Sequence, residues 1–206
     1  MSTVPKPTFV VTKVAEADFP TRFGHFRIYG FEGRNADRVE EAVVLVMGDM
    51  SAPEPPLVRI HSQCLTGDVF HSLRCDCRSQ LEMALESIVA EGRGMVIYEH
   101  QEGRGIGLLN KLRAYELQDA GADTIEANEQ LGFEADLRSY VLPGGILHHF
   151  GVTRVRLLSN NPEKIQALES AGVTVTERVP CIVPPIDSTQ AYLRTKQVRF
   201  GHLLEF

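Results

Sequence analysis

Short apolar runs alternate along the chain with amphipathic stretches of helical period. Phe23, Phe26, Ile28 and Phe31 sit among polar residues, and Ala42–Met47 is a short apolar run. Both patterns predict strands, over 23–31 and 42–47, and Leu57–Ile60 predicts another. From Arg78 to Glu91 the residues Leu81, Ala84, Leu85, Ile88 and Val89 have the spacing of one buried helical face. Gly92, just beyond them, is a natural helix stop. A strand over Met95–Tyr98 follows, then a polar glycine-rich loop, then a helix from about Gly107 to Asp119 that ends at Gly121. Val155–Leu158 reads as an apolar strand running into Ser159-Asn160-Asn161-Pro162. Asn161 is placed there to cap a helix and Pro162 to occupy its first position. That helix covers Pro162–Ala171 and ends at Gly172, and Val173–Val175 begins a further strand. Strands alternating with helices of this length predict an α/β fold. The strand-rich N-terminal third makes the sheet mixed, flanked by helices. No repeat or low-complexity linker interrupts the pattern, so residues 1–206 are expected to form a single domain.

A chain of 206 residues can enclose a proper core and a buried site. Hydrophobic residues at 43% and charged residues at 23% are globular values and exclude a disordered chain. No apolar run approaches the roughly 20 residues of a membrane span, and MSTVPKPTFV lacks the pattern of a secretion signal. Of the four cysteines, Cys75 and Cys77 are separated by one residue, and a chain of this size does not depend on disulfide staples. A reduced, cytoplasmic protein is expected. The net charge of −6 argues against nucleic acid as a partner. Yet Arg59, Arg74, Arg93, Arg104, Lys111, Arg113 and Arg138 gather in the middle of the chain. A locally basic pocket in an acidic protein fits a small polyanion, although any one of these residues alone reads as solvated surface.

The chemistry concentrates in HSQCLTGDVFHSLRCDC, which carries Cys64, Cys75 and Cys77 among few bulky apolar residues. Three thiolates are one short of the closed shell of a structural zinc site. A zinc ion with three protein ligands keeps its fourth position for water, which is the catalytic arrangement. Cys181, between Pro180 and Ile182, reads instead as a small buried hydrophobe. His61 and His100 lie close to the motifs but read as structural hydrogen-bonding groups rather than further ligands. The loop EHQEGRGIGLLNK lacks both the G-x-G-x-x-G spacing and the Walker pattern. It remains a strand-to-helix turn whose glycines permit close backbone approach, and such turns are natural anion sites.

HSQCLTGD, SLRCDC, QEGRGIGLLNK, DTIEANEQLGF and LLSNNPEK follow one another in this order, after VAEADFPTRFGHFRIYGF and before YLRTKQVRFGHLL. Together these blocks resemble GTP cyclohydrolase II, and the resemblance covers nearly the whole chain. It implies an enzyme of riboflavin biosynthesis that opens the imidazole ring of GTP. Formate and diphosphate are released and a diaminopyrimidinone ribosyl phosphate remains. It also implies one Zn2+ per chain, Mg2+ with the GTP phosphates, and a homodimer. The extra domain that some relatives carry is not expected, which makes the chain monofunctional.

Residue by residue, the resemblance implies that Cys64, Cys75 and Cys77 hold the zinc. Tyr115 would assist proton transfer at the base. Arg138 would attack the α-phosphate and Asp136 would accept its proton, although a purely electrostatic role for Arg138 stays open because a guanidinium is normally fully protonated. The GTP contacts would be Arg59, Ile60, His61, Ser62, Gln63, Gln80, Glu102, Gly103, Arg104, Thr124, Ser159 and Lys164. Read from spacing alone, Tyr115 lies on one face with Leu108 and Leu112 and would be a core tyrosine. The chain departs from the family pattern at Gln63, where many relatives have glutamate, at Ser159, often threonine, and at Leu137, often polar. Two alternatives stay open: a cyclohydrolase that stops early or feeds another pathway, and a zinc-stabilised GTP-binding protein without turnover. A zinc deaminase is disfavoured, since the H-x-E and P-C-x-x-C pair is missing.

Overall fold

The apolar runs pair into one seven-stranded sheet in the order β1-β2-β3-β5-β4-β6-β7. The computed structural model describes residues 9–35, 38–134, 136–183 and 203. β1 (Val10–Pro20), β2 (His25–Arg34) and β3 (Val39–Met47) form an antiparallel meander, and β3 pairs antiparallel with β5 (Gly94–Glu99). β4 (Leu57–Ser62) runs between β5 and β6 (Arg154–Leu158), parallel to both, and β7 (Thr174–Val179) extends this half. The sheet is therefore mixed, as the pattern predicts, with its antiparallel half built from the N-terminal third. The helices are α1 (Leu65–Asp68), α2 (Cys77–Glu91), α3 (Leu108–Asp119), α4 (Thr124–Gln130), α5 (Val141–His149) and α6 (Pro162–Ser170).

Both faces of the parallel half are covered. On one face Val58, Ile60, Met95, Ile97, Val155 and Leu157 pack with Leu142, Ile146 and Leu147 of α5 and Leu168 of α6. On the other, Leu57, Val96 and Leu158 meet Ala84, Leu85 and Ile88 of α2. Neighbouring residues thus enter opposite cores, which is why these strands read as continuous apolar runs. Cys181 is fully buried in the second core, as a small hydrophobe should be.

The predicted elements are present, with ends adjusted by local hydrogen bonds. Thr21 and Gly24 close a turn, Thr21 N–H donating to Gly24 O at 2.9 Å, so Phe23 belongs to that turn and β2 starts at His25. Asn161 caps α6 by accepting from Glu163 N–H at 2.9 Å, with Pro162 in the first turn. Val173 N–H bonds back to Leu168 O and finishes that helix end, so β7 begins one residue later. α2 stops at Gly92, whose φ of +69° is the left-handed closing conformation.

Four elements were not predicted: β1, α1, α4 and α5. β1 is exposed along nearly its whole length, so no alternation marks it. α5 contains Pro143 and Gly144-Gly145, which obscure a helix in the sequence. Pro143 falls in the first turn, where its missing N–H costs no helical bond. A Cβ at Gly145 would lie 2.4 Å from Val11 Cγ2 and one at Gly144 2.5 Å from Ala171 Cβ, so tertiary packing selects the glycines.

The carboxyl ends of the parallel strands β4, β5 and β6 deliver the segments 62–68, 101–107 and 159–161 to one edge of the sheet. Open α/β sheets bind ligands at that edge. Of the C-terminal block YLRTKQVRFGHLL only Leu203 lies within the described residues; its N–H donates to Asn160 O at 2.9 Å.

Candidate metal and nucleotide site

A cavity of about 410 Å³ opens at this edge, and its wall carries both the cysteine segment and a group of cationic side chains. The sulfurs of Cys64, Cys75 and Cys77 all lie within 4.8 Å of one another. Among the described residues they are the one group of three or more side chains able to hold a metal. The local fold explains the approach. Cys64 follows β4 and is pinned by Asp68, whose Oδ2 accepts Cys64 N–H at 2.9 Å while Asp68 N–H donates to Cys64 O at 2.7 Å. Cys77 opens α2.

Gly67 fits the same purpose. A Cβ there would meet Cys75 Sγ at 2.8 Å and Cys64 Sγ at 3.1 Å. The three-thiol donor set in this close array suits a thiophilic divalent cation such as zinc. Hydrogen bonds from Cys75 and Cys77, with the charge of Lys111, hold Cys64 far below the ordinary thiol value despite its burial. Cys75 and Cys77 are pushed up in turn, chiefly by donating to Cys64. Metal binding needs the sulfurs as thiolates, so a cation taking all three displaces whatever protons remain on them. Gly67→Ala should leave the fold intact, since alanine favours helix, but lower metal affinity by roughly 10–100-fold, the scale set by disturbed contacts behind the ligands. Competition against a chelator measures it; unchanged affinity would show that the space beside the sulfurs is not needed.

Asp68 also accepts from Tyr98 OH at 2.7 Å and meets His61 Nε2 at 3.2 Å, with the His61 ring stacked on Tyr98. Burial holds His61 below its ordinary value and hence neutral. His100 is on the surface, 3.5 Å from Glu41. Neither histidine is part of the cysteine group. Among the described residues, Arg59 Nε and His61 Nδ1 are buried without a hydrogen-bond partner, although both side chains line the cavity.

Tyr115 lies on the cavity wall rather than in the core, which corrects the packing role read from its spacing. Its hydroxyl is 3.3 Å from Thr66 Oγ1, which lies 3.7 Å from Cys64 Sγ. The Arg74 guanidinium covers its ring at 4.7 Å. Burial raises the phenol above its ordinary value, so Tyr115 holds its proton at neutral pH. After β5 the chain makes a tight turn over Glu102–Gly105 in which Arg104, a non-glycine residue, adopts φ +62°. Strain of this kind persists where the surroundings enforce it, often at functional sites. Glu102 is engaged inside the protein, accepting from Leu65 N–H at 2.6 Å and from Lys111 Nζ at 2.7 Å.

The cationic side of the cavity is equally fixed. Arg59 donates to Gln80 Oε1 at 2.7 Å and to Leu158 O at 3.0 Å. Lys164 is buried and donates to Ile60 O at 2.9 Å. Arg138 Nε bonds both oxygens of Asp136, at 2.9 and 3.1 Å. Burial opposes ionisation of Asp136, but the bonds and charge of Arg138 outweigh it and hold the carboxyl below its ordinary value. Residues 136–140 form no helix or strand, so their backbone groups find other partners. Leu137 N–H donates to Arg104 O at 3.0 Å. The Gln101 amide pairs with Ser139 both ways, accepting its N–H at 2.8 Å and donating to its carbonyl at 2.6 Å. Arg138 is thereby clamped on either side to the turn that carries Glu102 and Arg104.

Gln101 Nε2 also donates to Glu99 Oε1 at 2.9 Å, and the other Glu99 oxygen has no partner among the described residues. Burial pushes the Glu99 carboxyl up to about 8, although Lys164 and Arg138 pull it down. The folded protein thus keeps this proton from about pH 4.3, where an unfolded chain loses it, up to about 8. Stability falls as pH rises through that window, because the unfolded state binds fewer protons there. Glu99→Gln, which stays neutral, should melt above the parent at pH 9, by about 2–4 °C for each kcal/mol of burial cost removed. The gap should close toward pH 4; a gap of constant size across the range would contradict this.

The structure gathers most of the residues predicted to bind a nucleotide. Arg59, His61, Ser62, Gln63, Gln80, Glu102, Gly103, Arg104, Ser159 and Lys164 line the cavity, with Tyr115, Arg138 and the cysteines. The Ile60 side chain does not; it is fully buried in the core, and only its carbonyl takes part, as the Lys164 acceptor. Thr124 opens α4, and its side chain lies outside the described structure. Arg74, Arg104 and Lys111 of the basic group reach the wall with Arg59 and Arg138. Arg93 instead donates to Ala52 O, and Arg113 to Asn110. Read from sequence, Gln101 and Asn128 carry no role and Lys111 counts only as one of the basic group, yet all three are on the wall. The available signal was the position of Gln101 beside the Glu102 turn and of Lys111 one helical turn after Gly107.

A family model described as GTP cyclohydrolase II matches residues 12–180. A protein named GTP cyclohydrolase-2 from Azotobacter vinelandii is 54% identical over 194 residues, which cover 94% of this chain and 92% of its own. The riboflavin biosynthesis protein RibBA of Bacillus mycoides is 53% identical over 195 residues, 95% of this chain, and the chain spans 49% of its length. Among solved structures, a two-domain 3,4-dihydroxy-2-butanone 4-phosphate synthase from A. baumannii aligns with a TM-score of 0.46 at 17% identity, over 82% of this chain and 40% of its own.

Proposed function

The chain belongs to the GTP cyclohydrolase II family, and on that premise we propose that it opens the imidazole ring of GTP, releasing formate and diphosphate and leaving a diaminopyrimidinone ribosyl phosphate for riboflavin biosynthesis. The observation that carries this reading is the placement of a three-thiol cluster and a cationic group on the wall of one cavity. A purine nucleotide carries an electrophilic ring carbon and a polyanionic tail, and the thiol cluster and the cations of this wall offer a partner to each.

Cys64, Cys75 and Cys77 would hold one zinc ion, which when bound supplies the Lewis acid that makes water a nucleophile at neutral pH. Tyr115, protonated and joined through Thr66 to the edge of the cluster, supplies a proton to the ring nitrogen as the ring opens. Arg138, Arg59 and Lys164 would receive the phosphates, and Mg2+ would neutralise part of their charge. Asp136, ionised at neutral pH, orients Arg138 and is the proton acceptor if a guanidinium nitrogen attacks the α-phosphate. Gln63 and Ser62 close the wall beside Cys64.

A cytoplasmic homodimer is part of this reading. Four free cysteines suit a reducing compartment, and no described helix is long and apolar enough to cross a membrane. Val69, Phe70 and Leu73 beyond α1, with Leu109 on α3, stay exposed, which supports an assembly that covers them.

Mass spectrometry of the product from zinc-loaded protein, GTP and Mg2+ tests the reading. The deformylated pyrimidine is the expected product. A product still carrying the formyl group would place the chain among cyclohydrolases that stop early, and unchanged GTP would leave a binding protein without turnover.

A further inference from the structure

Lys111 joins the cysteine cluster to the rest of the site through a contact that neither ligation nor nucleotide binding requires. Its Nζ donates to Cys64 Sγ at 3.2 Å and to Glu102 Oε1 at 2.7 Å. The side chain is 12% exposed, so solvent screens its charge little. Three features bring it there. Gly107, at φ +83°, turns the chain into α3, and Lys111 N–H closes the first turn on Gly107 O at 3.1 Å. Long helical side chains lean back toward the helix N-terminus, here toward the Glu102 turn. Glu102 then holds the ammonium from one side, while its second oxygen accepts the N–H of Leu65, the residue after Cys64. The carboxylate thus fixes cation and ligand backbone in one geometry.

The charge balance of the cluster gives this contact a purpose. Three thiolates around a divalent cation leave the unit with one net negative charge, and thiolates are strong electron donors. Both effects weaken the metal as a Lewis acid, whereas neutral histidine ligands would not. A cation hydrogen-bonded to one sulfur draws electron density from it and cancels the excess charge. Thr66 Oγ1, at 3.7 Å from the same sulfur, is more distant and uncharged.

We propose that Lys111 is a charge-compensating, positioning residue of the metal centre, its ammonium holding Cys64 Sγ so that a three-thiolate site keeps a strongly Lewis-acidic metal. This rests on the reading of Cys64, Cys75 and Cys77 as ligands. Lys111 touches a ligand, not the reacting atoms, and acts through the sulfur.

The test loads the full-length protein with Co2+ and records the sulfur-to-cobalt charge-transfer band without GTP, for the parent, Lys111→Met, Lys111→Gln and Lys111→Arg. Loss of the charged donor raises the energy of the sulfur electrons. The band should therefore move to longer wavelength in the Met variant, less in the Gln variant, which keeps an uncharged N–H, and return toward the parent position with Arg. In the zinc-loaded proteins formate release should fall about 10–100-fold with Met, and Arg should restore part of it. A band at the parent position in both Met and Gln variants would overturn the inference. So would a fall in formate release with no movement of the band, which would put Lys111 on the nucleotide instead. Absence of any sulfur band in the parent would bring down the ligand reading itself, a separate failure, and the inference with it.

Discussion

Cys64→Ser, Cys75→Ser and Cys77→Ser, made one at a time, are each expected to lose the zinc and to slow formate release by about 10²–10³-fold or more. The magnitude follows from the several kcal/mol that a Lewis acid contributes to such a transition state, at about 1.4 kcal/mol per tenfold in rate. A serine hydroxyl is a poor ligand where the described residues offer three donors, and no histidine among them belongs to the group to replace the lost sulfur. Cys181→Ser serves as the internal comparison. That thiol lies fully buried in the core beside α2, donating weakly to Gln80 O, away from the cluster. It should keep about one zinc per chain while losing some stability, as a polar group placed among apolar neighbours does. Metal analysis beside formate measurement decides. Full zinc occupancy and undiminished formate release in all three cluster variants would end the metal-centre account.

Arg138→Ala should abolish the release of both products, with a loss of about 10³-fold or more in diphosphate, the range a single arginine contributes at a transferring phosphoryl group. Phosphate attack precedes ring opening in this account, so formate falls with it. Removal of the zinc should act differently, reducing formate far more than diphosphate, because the proposed reading puts the phosphates on Arg138 and not on the cysteines. Arg138→Lys separates two roles for the guanidinium. The ammonium keeps a charge but cannot pair with both oxygens of Asp136 as the guanidinium does. Substantial diphosphate release by the lysine variant identifies an electrostatic clamp, and its absence favours attack by a guanidinium nitrogen. Near-normal diphosphate release by Arg138→Ala would remove Arg138 from the reaction.

The fold and site were legible in the sequence where a local rule acts alone. Gly92 and the Asn161-Pro162 pair mark helix ends because capping is decided within a few residues. The cysteine spacing pointed to a candidate metal cluster, and the three sulfurs do converge, because thiolates have few other uses at that density. Residues defined by contacts distant in the chain left no such trace. β1 pairs its whole length with β2 yet exposes nearly every side chain, so its pattern is silent. Gly144 and Gly145 look like helix breakers until Ala171 and Val11 are found against them. Gln101 and Lys111 stand at the two ends of the block QEGRGIGLLNK, but nothing within it says what they touch. Their meaning lies in Ser139 and Cys64, each more than thirty residues away in the chain. Tyr115 shows the opposite error, a helical spacing that suggests a core position while the cavity lies on that face.

The proposed function requires one cavity to perform chemistry at both ends of the same nucleotide. Its most direct test is to measure formate and diphosphate side by side in one time course with zinc-loaded protein, GTP and Mg2+. One formate and one diphosphate should be produced for each GTP consumed, and removal of the zinc, with Mg2+ kept in excess, should stop formate while diphosphate continues. Diphosphate alone from the fully loaded protein, or formate that persists after the zinc has been removed, would contradict it.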